Sequence, residues 1–88
     1  MIGAHVTFDE SGVRFRFEPR AEEWVLFGTS LAEIEQMIRS RVNFAYPKPL
    51  PFSSLTAEEK LALEESLSVV ASSVLRELCV ADIIEEPA

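Results

Sequence analysis

The residues that most often carry catalysis and metal binding are scarce in this chain of 88 residues. It contains one histidine, His5, and one cysteine, Cys79, and its three glycines lie far apart. His5 lies on a predicted outward strand face, and no serine has the GxSxG context of an activated nucleophile. No cluster of cysteines or histidines is present to bind a metal, and dispersed glycines cannot form a phosphate-binding loop. The lone Cys79 cannot form an internal disulfide and is expected to be a buried apolar residue of a helix. The sequence therefore predicts no enzyme, no metal and no cofactor.

The carboxylates do not supply a catalytic pair either. They occur as sequence neighbours, such as Glu58 with Glu59 and Glu64 with Glu65 in the predicted long helix. Neighbouring residues of a helix point about 100° apart, so the two members of such a pair face different directions. We expect these side chains to be solvated rather than catalytic.

Long apolar runs are also absent. The first four residues have neither a basic start nor an extended apolar segment, so the sequence predicts no signal peptide. No stretch is both long and apolar enough for a transmembrane helix, and no membrane association is expected. A cytoplasmic location is the resulting expectation.

Basic residues are also few in this chain. Eight lysines and arginines are present against fifteen aspartates and glutamates, and the net charge is −7. Residues 1–48 contain six basic and seven acidic side chains, whereas residues 49–88 contain two basic and eight acidic ones. The acidity therefore belongs to the second half of the chain. Such a surface repels nucleic acids and anionic membranes and suits a basic protein partner.

Alternating apolar and polar residues predict a small antiparallel sheet in residues 1–28. Two strands, 4–8 and 13–18, are separated by the turn sequence Asp9-Glu10-Ser11-Gly12, which is typical of a β-hairpin. A third strand is predicted over 23–27, which would complete a three-stranded meander. The expected core side chains of the hairpin are Val6, Phe8, Val13, Phe15 and Phe17, and the expected outward ones are His5, Thr7, Arg14, Arg16 and Glu18.

The same alternation bears on nucleic-acid binding. Arg14-Phe15-Arg16-Phe17 superficially resembles an RNA-binding strand. Strand geometry places the arginines and the phenylalanines on opposite faces, whereas a base-stacking platform needs exposed aromatic rings beside basic groups. No direct contact with nucleic acid is expected.

Two helices are predicted after the sheet, and each begins with a capping box. Ser30 and Glu33 open a helix over 30–43, and Thr56 and Glu59 open a long helix over 56–82. Alternating prolines in 46–52 predict an extended connector between them, and 83–88 is predicted to be a tail. The fold class is α+β: one domain with a meander followed by two helices, the second long.

The acidic face of the long helix motivates the first functional hypothesis. Without a recognisable active site, the chain is expected to be a non-enzymatic regulator or inhibitor that binds a basic protein, which acts on nucleic acids in one version of the hypothesis. Small phage anti-defence proteins and immunity proteins have this physical profile, which is a likeness of type only. The carboxylates predicted to bind the partner are Glu58, Glu59, Glu64 and Glu65.

The breadth of the apolar sector on the long helix motivates the alternative. Apolar residues extend over more than half of its circumference, so the helix needs cover on more than one side. A second copy would supply that cover, which makes the chain a structural or assembly subunit that forms a homodimer. The residues expected at this interface are Val70, Val74 and Leu78.

Overall fold

The fold is α+β, as the sequence predicts, and its strands form two separate antiparallel pairs. The computed structural model describes residues 2–9, 12–45 and 54–87, so the predicted connector at 46–52 lies outside the described residues. The elements, in chain order, are β1 (Gly3–Asp9), β2 (Gly12–Glu18), a 3₁₀ turn (Ala21–Glu23), β3 (Val25–Leu26), α1 (Leu31–Ala45), α2 (Ala57–Val80) and β4 (Ile84–Glu85).

The N-terminal hairpin has the predicted strands and the predicted faces. In its register Ala4 lies opposite Phe17 and Val6 lies opposite Phe15. Ala4 and Val6 are buried, and the apolar side chains of β2 (Val13, Phe15 and Phe17) are half-buried against the core. The predicted outward side chains, His5, Thr7, Arg14, Arg16 and Glu18, are all exposed. The Phe8 side chain lies outside the described part of the structure.

The predicted meander is wrong in its third strand. Residues after β2 turn away at Pro19 and form the 3₁₀ turn, so β3 does not return along the hairpin. It pairs instead with β4, with Val25 opposite Glu85 and Leu26 opposite Ile84. The Phe27 N–H extends this pairing by donating to the Ile83 carbonyl at 3.0 Å. The segment 83–88, predicted as a tail, therefore contains a strand of the second sheet.

Both helices begin with the predicted capping boxes. At α1 the Glu33 N–H donates to Ser30 Oγ and the Ser30 N–H donates to Glu33 Oε2, each at 3.3 Å. At α2 the Glu59 N–H donates to Thr56 Oγ1 at 3.2 Å and the Thr56 N–H donates to Glu59 Oε1 at 3.4 Å. These reciprocal bonds satisfy amide groups that a helix start otherwise leaves without partners.

The end of α2 returns the chain to the core. Asp82 adopts a left-handed backbone with φ of 58°, a conformation that aspartate tolerates better than most residues. The Asp82 N–H donates to the Cys79 carbonyl at 3.1 Å and the Ile83 N–H donates to the Leu78 carbonyl at 2.9 Å. This pair of bonds is a Schellman motif, and it directs Ile83 and Ile84 back towards the helix that precedes them.

The helix α2 lies at the centre of the core and is covered from several sides. Its buried residues are Leu67, Ala71, Val74, Leu75 and Leu78. Around them pack buried side chains from every other part of the described chain: Ile2, Ala4, Val6, Trp24, Ile34, Ile38, Val42 and Ile84. The cover that the sequence assigned to a second copy thus comes largely from the hairpin, α1 and β4.

Serine side chains of α2 complete the outer edge of β1, a feature that the sequence analysis missed. The Ala4 N–H donates to Ser72 Oγ at 3.3 Å, and the Val6 N–H donates to Ser68 Oγ at 2.8 Å. Four helical residues rise about 6 Å and two strand residues about 6.8 Å, so the two spacings match. Glu86 Oε1 continues the series by accepting the Ile2 N–H at 3.0 Å.

Candidate functional site

Two of the four predicted partner-binding carboxylates share one face of α2. Residues 58, 61, 65 and 69 are spaced by three and four, so they form a single row along the helix. This row, called the outer row below, consists of Glu58, Leu61, Glu65 and Val69, and all four side chains are exposed. The carboxylates at 58 and 65 are two helical turns apart, which is about 10 Å along the axis.

The other two predicted carboxylates point elsewhere. Glu59 belongs to the capping box, where its Oε1 accepts the Thr56 N–H. Glu64 is half-buried, and its backbone carbonyl accepts the Ser68 hydroxyl at 2.7 Å on the side of α2 that faces β1. The structure therefore brings together Glu58 and Glu65 and separates them from Glu59 and Glu64.

Apolar side chains alternate with the two carboxylates of the outer row. Leu61 is 58% exposed and Val69 is 65% exposed, values far above those of the core residues of the same helix. Both belong to the broad apolar sector that the sequence predicts for the long helix, and the sequence did not indicate that they lie at the surface. Their spacing of three and four residues from the two carboxylates was the available signal. The outer row thus combines apolar area with negative charge.

The residues predicted at a dimer interface lie in or beside the core. Val74 is 5% exposed and Leu78 is 6% exposed, and Val70 is half-buried against the same cluster. In this fold Val74 and Leu78 have almost no surface left to contribute to a second chain. Among the described residues, the most exposed large apolar side chains are Phe44, near the end of α1, and Val80, at the end of α2.

An ion pair joins the two helices near those exposed side chains. Arg41 Nη2 lies 2.9 Å from Glu77 Oε2, and both side chains are about half exposed. Exposed pairs of this kind contribute at most about 1 kcal/mol because solvent screens them. Arg41 lines a shallow groove with Met37 and Phe44, and Glu77 lines a second one with Val80.

The outward face of the hairpin carries opposite charges. His5 Nε2 lies 3.2 Å from Glu18 Oε2, and Arg16 Nη2 lies 3.5 Å from Glu18 Oε1. On the inward face, the Arg39 guanidinium of α1 lies 4.8 Å from the centre of the Phe15 ring, in a cation–π arrangement. The two strands of the hairpin thus carry two arginines and two acidic residues, a less negative balance than that of α2.

Cys79 lies beside several acidic side chains near the end of α2. Burial raises the pKa of the Cys79 thiol, and the negative charge of Glu86 raises it further, so the nucleophilic thiolate is disfavoured. A cavity of about 340 Å³ beside Cys79 is lined by Phe27, Ile84 and the acidic side chains Asp82, Glu85 and Glu86. Within the described ranges, no group of three histidine, cysteine or acidic side chains is placed to hold a metal ion.

Two further findings concern membrane-spanning helices and similarity to known proteins. Neither α1 nor α2, the helices of the described residues, combines the length and the apolar character that crossing a bilayer requires. Comparison with protein-family models, with curated proteins and with solved structures finds no match to this chain.

Proposed function

We propose that the chain is a non-enzymatic protein-binding module whose outer row contacts a basic protein. The observation that carries the proposal is the exposure of Leu61 and Val69 beside Glu58 and Glu65 on one face of α2. Apolar side chains supply binding energy when a partner removes them from water, and the carboxylates select a partner with lysines or arginines around an apolar centre.

Charge supports the choice of a basic partner. The second half of the chain contains eight acidic and two basic side chains, so its field attracts cationic surfaces before contact. Proteins that act on nucleic acids carry basic patches of this kind. The proposed activity is regulation or inhibition of such a protein, in the manner of small phage anti-defence proteins or immunity proteins. A carboxylate row would then occupy a site that otherwise receives phosphates.

Site-specific crosslinking would identify the partner. A photoreactive amino acid at Ala62, which is exposed next to the outer row, is expected to capture a basic protein in the native cell. Affinity for the purified partner should fall steeply with salt. Glu58→Lys with Glu65→Lys should weaken binding, and Leu61→Ser with Val69→Ser should weaken it about tenfold or more, as expected for central apolar contacts.

Two results would contradict the proposal. The matched control is Glu22→Lys with Glu23→Lys, which makes the same change of charge on the exposed 3₁₀ turn. If this control weakens binding as much as the α2 variant does, only net charge matters and the outer row is not the contact. If both variants of the outer row bind the partner like the wild type, the contact lies on another surface.

Self-assembly is the second candidate function. It is supported by the exposure of Phe44 at 83% and Val80 at 87%, two large apolar side chains near the ends of the two helices. Burial of such groups against a second copy would lower the free energy of the assembly. In this version the chain is a structural subunit, and its interface would use Phe44 and Val80 rather than the buried Val74 and Leu78.

A further inference from the structure

The two outer edges of the hairpin, one on β1 and one on β2, differ in the hydrogen bonding of their backbone groups. In an antiparallel pair, the N–H and C=O of one residue point to the same side of the strand. Those of Ala4 and Val6 point away from β2, because they bond to Ser72 and Ser68. Their opposite residues in the register, Phe17 and Phe15, must then direct their own N–H and C=O away from β1.

The outer edge of β2 therefore presents a row of backbone donors and acceptors at Val13, Phe15 and Phe17. No residue in 2–9, 12–45 or 54–87 makes a hydrogen bond to the backbone of these three outside the β1–β2 pair. The edge belongs to a strand of seven residues, which is long enough to pair with another chain. Among the described residues, the edge of β1 is thus covered by α2 and the edge of β2 is not, which makes the edge of β2 the candidate for an added strand.

The side chains on the two faces of β2 determine which residue types an added strand would need. Arg14 and Arg16 project from the outward face, and both are exposed. On the inward face, Phe15 is half-buried and Arg39 lies over its ring. A strand added at the edge would alternate in the same way, so its residues would lie in turn beside the arginines and beside Phe15.

We propose that the outer edge of β2 binds an extended acidic segment of a partner protein by β-strand addition. The segment has the pattern acidic–apolar–acidic: its carboxylates lie opposite Arg14 and Arg16, and the apolar residue between them packs beside Phe15. Main-chain hydrogen bonds to Val13, Phe15 and Phe17 hold it, and the arginines select it. This site is separate from the outer row of α2 and takes a partner of opposite charge.

Charge disfavours a second copy as the occupant. If β2 pairs with itself about a two-fold axis, the longest pairings are those centred on residue 14, 15 or 16. Each of these registers places an arginine of one copy directly opposite an arginine of the other. Like charges in directly opposite positions destabilise a strand pair, whereas opposite charges stabilise it.

A titration followed by NMR tests the proposal on the full chain. The probe is a capped peptide of the length of β2 that alternates glutamate with valine, and the comparison probe replaces glutamate by lysine. The glutamate peptide is expected to cause saturable shifts of the Phe15 and Phe17 amide signals and to slow their hydrogen exchange. The lysine peptide should do neither. Arg14→Glu with Arg16→Glu should reverse this preference, and the matched control Arg20→Glu with Arg76→Glu should keep it.

A backbone variant separates pairing from simple charge attraction. Val13→Pro removes one outward N–H without removing a bond to β1, a substitution that edge strands tolerate. It should weaken binding of the glutamate peptide, whereas Val13→Thr, which keeps the N–H, should not. Unchanged Ala4 and Val6 amide signals verify that the hairpin persists in both variants.

Four outcomes would overturn the proposal. The first is the absence of saturable shifts at the highest soluble concentration of the glutamate peptide, and the second is equal binding of the lysine peptide. The third is binding of the glutamate peptide to a folded Val13→Pro chain that is as strong as binding to the wild type. The fourth is protection of the Phe15 and Phe17 amides from exchange that rises with protein concentration in the absence of peptide. The last outcome would identify a second copy as the occupant. Because Glu58 and Glu65 are unchanged in all these chains, failure here leaves the proposal for the outer row standing.

Discussion

Among single residues, Glu33 holds the start of α1 through two contacts. Its carboxylate accepts the Thr29 hydroxyl and the Ser30 N–H. The hydrogen bond from Thr29 lowers the pKa of this carboxyl below its ordinary value of 4.5, and the bond from the Ser30 backbone lowers it further. Because both contacts favour the ionised carboxylate, they stabilise the folded state when Glu33 is charged.

This contact makes the stability of α1 depend on pH. A lowered pKa contributes stability that is present above the unfolded value of 4.5 and is lost as the pH falls through the folded pKa. We expect Glu33→Gln to lower the thermal midpoint at neutral pH and to match the wild type in acid. Melting curves recorded across this range measure the effect. The control is Glu35→Gln on the same helix but outside the capping box, and an equal pH-dependent loss there would contradict the assignment.

The capping residues were also the most predictable ones. Ser30 with Glu33 and Thr56 with Glu59 satisfy each other within one turn, so all the information lies within four consecutive residues. The exposure of the outer row was harder to predict from the sequence. Leu61 and Val69 are apolar residues in an apolar helix, and only the placement of β1 and α1 around the opposite side determines that they remain exposed.

At the level of elements, serine side chains of α2 form hydrogen bonds with the outer edge of β1, where a neighbouring strand would otherwise pair. Ser68 accepts the Val6 N–H, and Ser72 both accepts the Ala4 N–H and donates to the Ala4 carbonyl. A helix that supplies hydroxyls at successive turns covers a strand edge that would otherwise be exposed to other chains. The N-terminal hairpin is therefore fastened to the helix by polar bonds as well as by apolar packing.

Removal of one hydroxyl should reveal the strength of this connection. Ser68→Ala leaves the partly buried Val6 N–H without its acceptor, which should cost about 1–3 kcal/mol of the free energy of unfolding. Denaturant unfolding measures the loss, and faster hydrogen exchange at the Val6 amide locates it. Ser66→Ala makes the same change at an exposed site of α2 and should alter stability by less than about 0.5 kcal/mol. Equal costs would mean that the bond contributes nothing.

The pairing of β3 with β4 could not be predicted from local patterns. Each strand has two residues, which is too short for an alternation to be recognised. Their partnership depends on the Schellman motif after α2 and on the burial of Ile84 beneath the second sheet, both of which are properties of the folded chain. The hairpin, in contrast, has seven-residue strands and a short turn sequence, and its faces follow directly from period two.

Considered as a whole, the molecule has more cover for α2 than its sequence indicates. The prediction of a homodimer rested on an apolar sector that needs cover on more than one side of the helix. The structure adds β4 and the segment around Trp24, and Val74 and Leu78 are buried as a result. The charge of the molecule is also uneven, because the acidic side chains outnumber the basic ones on α2 and balance them on the hairpin strands and on α1.

The position of Val74 gives a test that separates the fold from the assembly. Val74→Glu would bury an unpaired carboxylate in the core, so we expect the single chain to unfold. Val80→Glu places the same charge at an exposed position and should change the free energy of unfolding by less than about 0.5 kcal/mol. Circular dichroism and light scattering read out both variants. A folded Val74→Glu chain with half the wild-type mass would instead place Val74 at a dimer interface.

The hydrogen bonds along the outer edge of β1 also set an order of events during synthesis. They join residues separated by 62, 68 and 84 positions, so β1 is translated well before the side chains that complete its edge. At about 5–20 residues per second, that interval is about 3 to 17 s. For those seconds the outer edge of β1 lacks the serines and the glutamate that later bond to it, and it is open to pairing with other nascent chains.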